Sequence, residues 1–528
     1  MLQTQQTLPN STSINGQLKL TKLAITTIVL CIMVVPIAVV LREGMTLNLE
    51  SWQEVIYRPF VYATQRSFKL LFWLTLVGSL VGGLLGCVAS LWKFPLKSIS
   101  LVFLSLSLVV PSFVSAIGIQ SLQAFFSFSK SDLLDGYFGC FWSGLVIVLP
   151  LVILGSFVAG LQISKSEREM IMVYRGRGVM LLRAWLRLFP VAIVCALFGA
   201  ILFLSDSGSS QIMGYHGISA DVRVSFSAKN DFKAASMKAI VLMILFIPIV
   251  IVLLLFYKKK LNGSILLTRQ TLKDLPELRF VSSVVLGGIY FLICILPVMA
   301  IFTGLVNPLL APVSQPYIDS ALKLFLDSVW TTLFYGLGGA LFALVCASAL
   351  RVCVREKRQW IIVAVCVMLL VIPSCVFSLG ILKIGSSASV GLDWLFRSEL
   401  AVVAGMGLIY TPLCYLLLYA IAKPMPQSSI EATRMYELSM WQKIRSIYVP
   451  YYSGQIVTCF IVTSLILLAD VSSMSLLQPP GGSSFGSHLF AVMDAASERV
   501  VAALCLIYVA IPVVITLLYA TYKLIKNR

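Results

Sequence analysis

The sequence predicts an all-α polytopic membrane protein of about 12 transmembrane helices in two parallel six-helix repeats. Three observations lead there. Of the 528 residues, 59% are hydrophobic and 12% are charged, which excludes an ordinary soluble globule. Apolar runs close to the bilayer-spanning length of about 20 residues follow one another along the chain. A pattern of prolines recurs after about 261 residues.

Taken in order, the apolar runs lie near 23–41, 70–92, 100–120, 137–161, 189–205, 239–257, 280–302, 329–350, 360–382, 398–422, 455–476 and 500–522. The first, bracketed by Lys22 and Arg42, lacks a small-residue cleavage site and reads as an uncleaved span. The fifth is the weakest, because polar residues from Ser205 cut it short. Residues 1–21 form a polar cytoplasmic tail, 22–257 the first transmembrane repeat, 258–279 a basic cytoplasmic linker and 280–528 the second repeat. Lys and Arg set the orientation. With the N-terminus inside, the cytoplasmic segments collect 27 of the 40, so both termini are expected in the cytoplasm of a bacterial inner membrane. The net charge of +18 is thereby read as loops held near anionic headgroups, and no nucleic-acid partner is expected. The cysteines fall within or beside apolar runs, no CxxC pair occurs, and they read as small hydrophobes.

The repeat rests on register. Val109 to Ile119 recurs as Val371 to Ile381 with six of eleven positions identical, including Pro111 and Pro373, Ser112 and Ser374, and Gly118 and Gly380. Pro36, Pro150 and Pro190 match Pro297, Pro412 and Pro450 in the same order. Six spans per half put both halves the same way up, about an axis along the membrane normal. The glycines are read as sites of close helix packing.

The loop after the fourth span of the second half runs Ser428-Ser429-Ile430-Glu431-Ala432-Thr433 through Glu437 to Val449-Pro450. It resembles the EAA loop of ABC importer permeases, in which Glu-Ala-Ala opens a short cytoplasmic helix and a hydrophobic-Pro pair follows 18 to 19 residues later. Here Thr433 replaces the third alanine, and Glu437 stands where a glycine is usual. The first half offers Glu167-Arg168-Glu169 followed by Gly176 and Gly178, assigned as its counterpart by position. Leu476-Leu477-Gln478-Pro479-Pro480-Gly481, with the Pro-Ser-Phe-Val-Ser stretch at 111–115, is similar to fused permeases of the ferric-iron and phosphonate importer group.

This resemblance implies the type I importer permease fold. It also implies two copies of a cytoplasmic ATP-binding subunit gripping Glu431, Ala432, Thr433, Glu437, Glu169 and Gly176, and an extracytoplasmic solute-binding protein. The chain has no GxxxxGK[ST] loop, so it is expected not to be an enzyme, and ATP hydrolysis falls to a separate subunit. Ferric iron is the first substrate the resemblance suggests, with thiamine, phosphonates, polyamines or an inorganic anion as alternatives. An ion-coupled secondary transporter is the rival class.

The candidate pathway residues are Asp206, Asp470, Ser112, Ser374, Pro111 and Pro373. Asp206 and Asp470 end the fifth span of each half, among Ser205, Ser207, Ser472 and Ser473. Carboxylates at such places either face a polar path, suited to a cationic substrate, or cap helices at the outer interface. His216 and His488 have no partner at ligand spacing and read as exposed loop residues, so neither a metal site nor a cofactor is expected.

Overall fold

The structure is a computed structural model. It describes residues 11–46, 57–94, 97–108, 110–125, 136–161, 165–227, 231–244, 288–290, 300–306, 315–354, 359–387, 396–421, 445–446, 449–479, 481–482, 484–493 and 497–526, with single residues at 53, 163, 229, 246, 284, 293, 394 and 442. The regular elements among them are helices. They are α1 (Ser11–Met45), α2 (Arg58–Val77), α3 (Gly83–Leu91), α4 (Lys97–Ser107), α5 (Ser112–Phe125), α6 (Gly136–Gly160), α7 (Lys165–Ser205), α8 (Gly208–Ile212) and α9 (Ile218–Ser227). Further along the chain come α10 (Gln315–Cys353), α11 (Gln359–Val371), α12 (Ser374–Ser386), α13 (Glu399–Ile421), α14 (Val449–Ala469), α15 (Val471–Leu477), α16 (Phe485–Met493) and α17 (Glu498–Lys526).

Among the described residues eight helices are long and apolar enough to cross a bilayer, and two bent pairs bring the total to ten if each is one span. The protein is therefore a multi-pass membrane protein. The expected spans near 239–257 and 280–302 lie mostly outside the described residues. Three others need correction. Those near 100–120 and 360–382 are not straight: α4 and α5 meet at 104°, and α11 and α12 at 91°. Pro111 and Pro373 sit at the breaks, where proline has no N–H to donate and disfavours helix in the residue before it. Each then opens the next arm, its carbonyl accepting from Val114 N (3.1 Å) or Val376 N (3.0 Å). The eleventh run ends earlier than its apolarity suggests. Asp470 stops α14, and its carboxylate accepts from Ser473 N, capping α15 (3.0 Å).

The fifth span is longer than its apolar run, covering Gly176–Ser205. Gly176 has φ 78°, a left-handed conformation that separates this span from the preceding segment of α7. A Cβ there costs about 1–2 kcal/mol, and Gly176→Val is expected to loosen the turn. Faster protease cutting within 165–187 would report it; an unchanged digestion pattern would rule out a turn that depends on glycine.

The first span of the N-terminal helices packs on the C-terminal ones. Val29, Met33 and Ile37 of α1 belong to the core built by α10, α11, α12 and α13. At Pro36 the approach is so close that a Cβ on Gly380 of α12 would lie 2.1 Å from the Pro36 carbonyl oxygen. The expectation of close packing holds for this glycine. Tyr290 does the converse. It is fully buried in a cluster with Leu85, Phe94 and Ile153, stacks on Phe94 at 5.4 Å between ring centroids, and donates its hydroxyl to the Leu85 carbonyl.

Candidate functional site

Both carboxylates singled out by the sequence sit where a spanning helix stops and a short one begins. Asp206 follows α7, and its Oδ1 accepts from Gly208 N at 3.1 Å; Asp470 does the same between α14 and α15. Asp470 is therefore a cap; Asp206, one position earlier in the chain than the N-cap Ser207, accepts from the first residue of α8, and the contacts do not end there. Ser112, the first residue of α5, donates its hydroxyl to Asp206 Oδ2, and Ser472 of α15 donates to Asp206 Oδ1. The second bond ties N-terminal to C-terminal helices. Asp470 Oδ2 accepts from Tyr410 OH of α13 at 2.8 Å.

Arg223 of α9 reaches the same seam. Its guanidinium donates to Ser207 Oγ and to Ser475 Oγ, both at 3.2 Å, a second tie between the two sets of helices. Arg223 lies outside the spanning helices. Burial lowers its pKa, while Asp206 and Asp470 favour the charged form. Tyr508 of α17 closes the seam from one side. Its ring stacks on Phe485 at 5.3 Å and its hydroxyl donates to the Leu468 carbonyl. The result is two carboxylates, one guanidinium and a set of hydroxyls between apolar helices, a setting in which polar groups are costly unless paired.

Of the six candidate pathway residues, the structure joins Ser112 to Asp206 and puts Pro111 and Pro373 at the bends that place Ser112 and Ser374. Ser374 differs from Ser112. Its carbonyl accepts from Ser378 Oγ at 3.1 Å, and Tyr410 rather than Ser374 meets Asp470. Arg223 and Tyr410 were not visible as site residues in the sequence. Arg223 sits in a polar stretch, where a single basic residue carries no signal, and Tyr410 reads as one more aromatic in an apolar run. Its place two residues before the repeated Pro412 is the one clue the sequence holds.

The second candidate region divides. Glu431, Ala432, Thr433 and Glu437 lie outside the described residues. Glu169 is exposed, and the neighbouring Glu167 pairs with Arg187 at 2.6 Å across the Gly176 turn. His216 is exposed as expected, whereas His488 lies on α16 and is partly buried, which lowers its pKa. Among the described residues no group of three His, Cys, Asp or Glu could hold a metal ion, and the described cysteines are free thiols.

Two clefts flank the seam at corresponding places. One, of about 680 Å³, lies between the ends of α5 and α8 and the start of α6, and is lined by Gln120, Tyr137, Phe138 and Met213. The other, of about 220 Å³, lies between the ends of α12 and α15 and the start of α13.

No curated protein and no solved structure matches the chain. Residues 339–525, which run from within α10 to the end of α17 and contain the Glu431 loop, match the family model described as binding-protein-dependent transport system inner membrane component, and this similarity supports a permease component of an ABC importer.

Proposed function

We propose that the chain is a fused two-repeat permease of an ABC importer, with both termini in the cytoplasm. The family match over residues 339–525 carries this reading. Several pairs of features support extending it to the N-terminal helices. The bends fall at Pro111 and Pro373, and carboxylates that accept from a backbone N–H of the following short helix stand at Asp206 and Asp470. Lys97 Nζ donates to the Trp92 carbonyl at 3.0 Å, and the Gln359 amide points to the Val354 carbonyl at 3.5 Å, each 262 residues from its counterpart. Lys97 also lies over the Phe157 ring and Arg351 over Tyr419, again 262 residues apart between the rings.

In this reading the loops at Glu169 and Glu431 dock two ATP-binding subunits, an extracytoplasmic binding protein delivers solute, and the seam of Asp206, Asp470 and Arg223 is the closed path between halves. Opening it requires breaking the Asp206–Ser472 and Arg223–Ser475 bonds together. Carboxylate and hydroxyl oxygens suit a hard cation, which keeps ferric iron first among the substrates.

The test is ATPase activity in proteoliposomes holding this chain, a co-expressed ATP-binding subunit and a candidate binding protein. Glu431→Ala is expected to reduce binding-protein-stimulated hydrolysis by about tenfold, the size of losing a charge-assisted contact. Failure to co-purify with any ATP-binding subunit, together with uptake driven by an ion gradient, would sink the reading in favour of a secondary carrier.

A further inference from the structure

Span two is not a single α-helix. Between α2 and α3 the backbone runs through Gly78–Gly82 as a π turn, whose i→i+5 hydrogen bonds enclose one residue more than an α turn. Such turns are rare and collect at functional sites. Glycine alone does not explain this one. α10, the counterpart of span two in the two-repeat reading, carries Gly336, Gly338 and Gly339 at a similar distance from its start and stays α-helical from Gln315 to Cys353.

The turn separates two differently anchored arms. On one side, Cys87, Val88 and Leu91 of α3 pack with Met180, Ala184 and Leu188 of α7, in the stretch that follows the Gly176 turn. On the other, the Arg66 carbonyl of α2 accepts from Tyr215 OH at 3.1 Å, and Ser67 Oγ accepts from Ile218 N at 3.0 Å. Ile218 opens α9, the helix that carries Arg223 to the seam. One arm is thus tied to the candidate docking loop and the other to the seam. The turn between them is not interlocked. Leu80 and Val81 are exposed, and the face toward α6 and α7 is glycine: a Cβ would lie 2.4 Å from Val148 at Gly78, 2.9 Å from Val152 at Gly82 and 2.8 Å from Ala192 at Gly83. With no side chains set into the neighbours' grooves, that face can slide on them.

We propose that this π turn is the joint through which span two passes movement at the ATPase-docking loop to the seam. The source of the movement rests on the importer reading; the joint rests on the backbone. A π turn can migrate along a helix by exchanging i→i+5 for i→i+4 hydrogen bonds one residue at a time, which rotates and shifts one arm against the other without opening the helix. A continuous α-helix offers no such step, so span two flexes where α10 moves as a rod. Because Tyr215 and Ile218 hold the start of α9 to the outer arm, its shift reaches Arg223 and loads the bonds to Ser207 and Ser475.

Electron–electron double resonance on the full chain in nanodiscs reads the joint directly. Nitroxides at the exposed positions Tyr62 and Leu84 bracket the turn, about 33 Å apart at helical rise, and Leu322 and Val345 on α10 form a reference pair about 35 Å apart. The pair across the turn is expected to give a broader distance distribution than the reference in the chain alone. It is expected to shift by about 2 Å when a co-expressed ATP-binding subunit is held with a nonhydrolysable ATP analogue. Equal widths in the chain alone overturn the proposal, and so does a shift no larger than that of the reference pair. Deletion of Leu80 removes the extra residue, closing the turn to an α turn while α2 and α3 keep their faces. It is expected to narrow the distribution to that of the reference and to cut binding-protein-stimulated ATPase activity by about tenfold, with the unstimulated rate kept. Leu80→Ala, which shortens the side chain but not the backbone, leaves both as in wild type. A deletion variant that couples as well as wild type overturns the joint; if the deletion does not fold, the wild-type widths decide. A wild type that no ATP-binding subunit recognises sinks the importer reading, and the widths in the chain alone still decide the joint.

Discussion

Gly380→Ala is expected to be among the most destabilising single-methyl changes in this protein. The added carbon would sit 2.1 Å from the Pro36 carbonyl oxygen and 2.6 Å from its carbon, and neither belongs to a side chain that can rotate away. Relief requires moving α1 from α12 as a body, which breaks the packing of Met33 and Ile37 against the core they share with Phe377 and Ile381. Overpacking of this kind costs about 3 kcal/mol. Thermal denaturation of the detergent-solubilised protein reads it out, with Gly454→Ala as the control, since a Cβ at Gly454 meets nothing within 4 Å. If the two variants denature together with wild type, α1 does not pack against α12 as described.

Asp206→Ala is expected to have the second large effect, on stability and transport alike. It strips an acceptor from Ser112, Ser472 and Gly208 N, and takes away one of the two negative charges that favour the Arg223 cation. Stranding those groups costs about 3 kcal/mol. Asp206→Asn keeps an acceptor while removing the charge, and so divides the effect between hydrogen bonding and electrostatics. A double-mutant cycle with Ser472→Ala is expected to give a coupling of about 1 kcal/mol. Strict additivity would mean that the tie between N-terminal and C-terminal helices contributes nothing to holding the seam shut.

The sequence revealed the spans far better than their shapes. Hydropathy averaged over a window passes straight through Pro111 and Pro373, because the residues on both sides remain apolar and the right-angle bend leaves the average untouched. Gly176 shows the opposite failure. The helix it begins continues through Arg177, Arg183 and Arg187, which hydropathy assigns to a loop, while the backbone needs only a left-handed residue to start afresh. The two aspartates were legible because a carboxylate closing an apolar run is rare; the contacts of Asp470 are those of a helix cap, as one of the two readings has it. Arg223 and Tyr410 come to that site from elements about 17 and 60 residues away in sequence, a proximity that only folding creates.

The placement of α1 has a consequence for synthesis. Its packing partners α10, α12 and α13 begin about 300 residues further along the chain. At about 5–20 residues per second of translation, α1 crosses the bilayer tens of seconds before the surface that covers it exists. During that interval the face that will meet α10, α12 and α13 has no protein partner from those helices, so α1 relies more on its own transfer free energy to remain in the membrane. The numbers agree with that demand. The Leu20–Met45 span has a mean hydropathy of 2.9, the highest of the eight long spans, and at 22% it is the least buried of them. α1 is thus suited to hold its own place in the bilayer while the helices that will cover it are still being made.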